Sequence, residues 1–173
     1  MNIHPLFVHF PIALLTLYGI FELLSFGKLS RQSYWFYVKA ILVIAGTIAA
    51  LLTLPTGEAA EKLFQNGDPL REVIKIHSNF AAITTWIFSL LGTAYLIAWG
   101  EKEALIKAAP DSLVEKIWKL LLSLKRIILF APVRILLVLA GLAAITITGA
   151  LGGSIVYGSD FDPFVRVIYN WFF

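Results

Sequence analysis

Residues 133–154, VRILLVLAGLAAITITGALGGS, decide the fold. A single charge, Arg134, stands at the start of the run, and everything after it is apolar, small or a hydroxyl. About 20 such residues cross about 30 Å of hydrocarbon at 1.5 Å rise per residue. Three more runs of the same kind lie N-terminal to it, at 6–26, 35–54 and 76–99. Each is followed by turn or charge signals: Gly27-Lys28, Pro55-Thr56-Gly57, Gly100-Glu101 and, after the last, Tyr157-Gly158-Ser159-Asp160. The reading is an all-α integral membrane four-helix bundle, one membrane domain over 1–173. It predicts no internal repeat.

Composition agrees. With 59% hydrophobic and 14% charged residues and a mean hydropathy of +0.82, a water-soluble core of this size could not bury the apolar surface. The net charge of +3 sits in the segments between the runs, so it reads as membrane topology and not as a nucleic-acid footprint. There is no cysteine, which excludes disulfides, iron–sulfur clusters and thiolate metal sites. The first residues carry no basic n-region, so no cleavable signal peptide is expected.

Small residues recur at helical spacing. Ala45, Ala49, Thr53 and Gly57 form one stripe, and Ala140, Ala144, Thr148 and Gly152 form another. Such stripes let membrane helices approach closely. Between spans three and four, Ser112 and Glu115 fit a capping box. Residues 112–126 place Leu113, Ile117, Leu120, Leu121 and Leu124 on one face, the pattern of an amphipathic cytoplasmic interfacial helix. Asp68-Pro69 is expected to cap the outer start of span three. Asp162-Pro163 opens a short aromatic C-terminal helix, and Tyr157, Tyr169 and Trp171 read as interface anchors.

Lys28, Arg31, Lys102, Lys107, Lys116, Lys119, Lys125 and Arg126 crowd the first and third loops, with Arg134 beside them. Lys62, Arg71, Lys75 and Arg166 on the other side are offset by Glu58, Glu61, Asp68, Glu72, Asp160 and Asp162. The positive-inside rule then places the first and third loops in the cytoplasm and both termini outside, in a bacterial inner membrane.

All three histidines fall toward the outer side. His9 lies a few residues into span one and His77 at the mouth of span three, at depths matched to about one helical turn. Two imidazoles on separate helices at one level suit the iron of a bis-histidine b-type haem. The metal ligands expected are His9 and His77; His4 is a second candidate for the span-one position, a propionate partner or a helix cap. Arg71 and Lys75 could pair with propionates. Glu22, some 20 Å from His9 along a helix, cannot share its metal and reads as a snorkelling or hydrogen-bonded interface residue. No nucleophile–base pair, phosphate loop or paired carboxylate stands out. The function expected is electron transfer between a membrane quinol and an external acceptor or redox partner protein. The rivals are a cofactor-free subunit of a larger membrane complex and a copper or zinc site on His4, His9 and His77. An unbroken set of four spans argues against a transporter.

The opening His4-Pro5-Leu6-Phe7-Val8-His9-Phe10-Pro11-Ile12-Ala13-Leu14 resembles the H-P-x-x-V-H-F-P-I-A-L start of a bacterial family of predicted four-span inner-membrane proteins of unknown function (domain of unknown function 2231). Pro55-Thr56-Gly57, His77 and Gly152-Gly153-Ser154-Ile155-Val156-Tyr157 extend the likeness over most of the chain; after Tyr157 it is loose. The resemblance implies the four-helix bundle and marks His4, His9 and His77 as motif positions. It implies no reaction.

Overall fold

The computed structural model describes residues 4–25, 27, 32–62, 64, 68–105 and 109–173. Lys28, Arg31 and Lys107 of the charge count lie outside the described residues. The described chain forms α1 (His4–Leu23), α2 (Ser33–Glu61), α3 (Arg71–Lys102), α4 (Leu113–Ile128), α5 (Ala131–Tyr157) and α6 (Pro163–Tyr169). Among the described residues there is no strand. Helices α1, α2, α3 and α5 are each long and apolar enough to cross a membrane. Their outward faces carry Leu52, Trp86 and Leu136, all more than 60% exposed. That distribution suits lipid as the surrounding solvent.

Around the bundle, α1 packs on α2 and α3 on α5, with α2 against α3 and α5 against α1 closing the ring. Leu15, Tyr18, Val43, Phe88, Leu91 and Val138 fill its centre, all fully buried. The ring of Tyr18 meets Phe88 and Tyr95 edge-on, with centroids 6.1 and 5.8 Å away.

Two boundaries differ from the sequence reading. Span two does not stop at Pro55: α2 runs through it to Glu61. Proline deletes one intrahelical hydrogen bond and normally costs about 3 kcal/mol. Nearby hydroxyls bond into the same stretch of backbone, Thr53 Oγ1 donating to Ala49 O and Thr56 Oγ1 to Thr53 O, at 2.7 and 2.6 Å, as membrane helices commonly do around proline. The second difference is at α3, which starts at Arg71; Asp68 caps a preceding turn by accepting from Leu70 N at 2.9 Å.

The peripheral helices follow their signals. Ser112 Oγ accepts from Glu115 N at 3.1 Å, and Glu115 Oε2 accepts from Asp111 N at 2.7 Å, one residue short of the full capping box. No residue of α4 is buried; Leu113, Leu120 and Ile127 lie open on its apolar side. Asp162 accepts from Phe164 N and Val165 N to start α6, which packs Val165 and Ile168 against Ala150 of α5.

The expectation of no internal repeat is overturned. At one constant offset His4 matches His77, Phe7 matches Phe80, Leu15 matches Phe88 and Gly19 matches Gly92. At a second, longer offset Lys39 matches Arg134, Val43 matches Val138, Gly46 matches Gly141, Thr53 matches Thr148 and Gly57 matches Gly152. The packing repeats with the sequence. A Cβ on Gly46 would meet Leu15, and one on Gly141 would meet Phe88. A Cβ on Gly19 would meet Leu142, and one on Gly92 would meet Thr47, again an equivalent pair. Hairpins α1–α2 and α3–α5 are therefore two copies of one unit about an axis along the bundle, with α4 inserted in the second copy.

Candidate functional site

The duplication places one histidine from each hairpin at the same end of the bundle. His77 Nδ1 lies 2.9 Å from Thr148 O; a carbonyl only accepts, so Nδ1 carries the proton. His4 reaches the equivalent threonine through a relay: its Nδ1 lies 2.8 Å from Thr56 Oγ1, whose own proton goes to Thr53 O. Nδ1–H is therefore the donor in both rings, and Nε2 holds the lone pair in both. This is the tautomer of a histidine whose Nε2 serves as a ligand while Nδ1–H anchors the ring.

Glycine makes room for each ring. A Cβ on Gly57 would lie 3.2 Å from His4 Cε1, and one on Gly152 would lie 3.2 Å from His77 Cε1. Each glycine sits one turn after the threonine whose carbonyl anchors the histidine, where a side chain would crowd the approaching imidazole. Both rings are partly buried.

The pairing of His9 with His77, expected from depth alone, is not what the bundle brings together. His9 is exposed, two residues and so about 200° around α1 from buried Pro11. Lys75 is exposed on α3, about 200° from His77, and Arg71 is exposed one turn earlier. Among the described residues no three His, Cys, Asp or Glu side chains converge.

The opposite end of the bundle holds a polar cluster that the sequence reading only touched. Glu22 does not snorkel: its side chain is fully buried, and Oε1 lies 3.0 Å from Lys39 Nζ and 2.9 Å from Arg134 Nε. Tyr95 OH donates to Oε2, and Arg134 Nη1 donates to Leu129 O at 3.0 Å. Lys39, itself 8% exposed, drew no attention in the sequence. A lysine one turn inside an apolar run demands a buried partner, and Glu22 was the one acid within a span, so that signal was available.

Comparison with known proteins adds one finding. No curated protein and no solved structure matches the chain. A family model described as predicted membrane protein (DUF2231) matches residues 1–161, covering all four apolar helices. The chain belongs to the DUF2231 family of predicted membrane proteins.

Proposed function

We propose that the protein is a b-type haem protein of a bacterial inner membrane, in which His4 and His77 would hold the iron near the outer face. The carrying observation is the pair of equivalent imidazoles, each anchored through Nδ1 and each seated against a glycine. A haem asks the chain for only two donors because the porphyrin supplies the rest, whereas a lone zinc or copper ion asks for more. The donor set therefore favours haem over the copper or zinc reading. Bound there, the haem would supply one-electron transfer, and a membrane quinol is the donor class within reach at that depth. Lys116, Lys119, Lys125 and Arg126 lie at the Glu22 end, which supports placing that end in the cytoplasm and both termini outside.

The test is an absorption spectrum of protein purified from cells well supplied with haem. A Soret band with a sharp reduced α-band is expected. His4→Ala and His77→Ala should each lose the bis-histidine spectrum, and His9→Ala should keep it. A colourless protein overturns the haem reading, and a His77→Ala variant with the native spectrum overturns the ligand assignment.

A further inference from the structure

We propose that the Glu22 end of the bundle binds one phosphate group, carried by an anionic lipid headgroup or by free phosphate. Lys39 and Arg134 contribute two positive charges against the single carboxylate of Glu22, so a buried cluster keeps one positive charge in surplus. Lys39 Nζ has three N–H groups and makes one hydrogen bond among the described residues, to Glu22. Arg134 has five N–H groups and makes one hydrogen bond, from Nη1 to Leu129 O. Its Nε faces Glu22 at ion-pair distance without hydrogen-bond alignment. Of these donors Arg134 Nε is buried with no hydrogen-bond partner, while the Arg134 side chain as a whole is 24% exposed.

A partly open cavity of about 250 Å³ is lined by Gln32, Trp35, Lys39, Tyr95, Leu129 and Arg134, among others. The cations thus border a void large enough for a tetrahedral anion. Its aromatic and aliphatic walls suit the glycerol and upper acyl chain of a lipid. Lys39 lies about 9 Å along α2 from its start at Ser33, the depth at which headgroup phosphates meet the hydrocarbon. The cavity also lies under the corner between α4 and α5, through Leu129. Basic pockets between membrane helices are a known design for anionic headgroups. The site lies at the end remote from the histidines and does not rest on the haem reading.

The test uses the full chain. Protein extracted from vesicles of equal phosphatidylglycerol and phosphatidylcholine is weighed by native mass spectrometry. Inorganic phosphate is then titrated against chloride at constant ionic strength, following tryptophan fluorescence, with Trp35→Phe as the silent control. At least tenfold preferential retention of phosphatidylglycerol, displaced by phosphate, assigns the lipid headgroup; a phosphate response without lipid retention assigns free phosphate. Gln32→Glu puts a negative charge on the cavity wall at an exposed residue outside the ion cluster, and should weaken either binding at least tenfold with the melting temperature unchanged. Equal retention of both lipids with no phosphate response overturns the proposal, as does binding unaffected by Gln32→Glu.

Discussion

Replacing Glu22 with glutamine tests the buried ion cluster most directly. In the native bundle one carboxylate oxygen stands 3.0 Å from Lys39 Nζ and 2.9 Å from Arg134 Nε. At an effective dielectric of about 20, each contact is worth about 5–6 kcal/mol of gross Coulomb attraction. Much of that is offset by desolvation and by repulsion between the two cations. What glutamine leaves behind is the repulsion and the desolvation without the attraction, and stranding a buried partner in this way costs about 3–5 kcal/mol. The amide oxygen can still accept from Tyr95, so the lower end, about 3 kcal/mol, is expected. For a chain of this size about 2–4 °C of melting temperature accompanies each kcal/mol, giving a fall of roughly 6–12 °C in detergent micelles. Adding Lys39→Met to Glu22→Gln removes one stranded cation and should recover part of the loss. A Glu22→Gln protein within about 1 kcal/mol of wild type, or a double variant whose cost is the sum of the singles, would refute the account.

Further outcomes follow from single contacts. Gly46→Ala and Gly141→Ala would put Cβ atoms 2.6 Å from Leu15 Cδ2 and 2.8 Å from Phe88 Cζ, so both should destabilise by about 1–3 kcal/mol in thermal melts. Gly149→Ala, with nothing within 4 Å of the new methyl, should cost little and serves as the control. Ser112→Ala removes the acceptor for Glu115 N and should cost about 1 kcal/mol, read as faster amide exchange in the first turn of α4. The hydrogen bond from Lys119, then that from Asp111 N, holds the Glu115 carboxyl below its ordinary 4.5. Its contribution is therefore complete above pH 4.5 and is lost as pH falls through the lower folded value. A carboxyl carbon titration should give a midpoint below 4.5, and a midpoint at or above it would contradict the capping geometry.

The four spans were legible because hydropathy over about 20 residues is a strong signal in lipid, where each backbone must satisfy itself. The caps at Ser112 and Asp162 were legible because short polar side chains at helix starts have one main job. Depth along a helix was also readable, and it brought histidines from α1 and α3 to one end. Rotation about the helix was not: His4 and His9 differ by five residues, and only the packing of Pro11, Leu15 and Tyr18 decides which of them turns inward. Lys39 was passed over inside an apolar run and Arg134 was counted as a loop marker, whereas both face Glu22. The duplication escaped for a different reason. Its halves share few identities and are connected by unequal segments, so no single offset aligns them, and the repeat emerges only when the matched glycines are seen to touch matched side chains.

That duplication is kept at one end of the molecule and broken at the other. At the histidine end each hairpin contributes the same group in the same tautomer, so a ligand seated on the axis meets two equal hands. At the far end Lys39 and Arg134 match in charge, but Glu22 is matched by Tyr95. Two faithful copies would have carried two acids against two bases and come out neutral. With a phenol in place of one of the carboxylates the joint is polarised, and the two ends of a single bundle differ in electrical character.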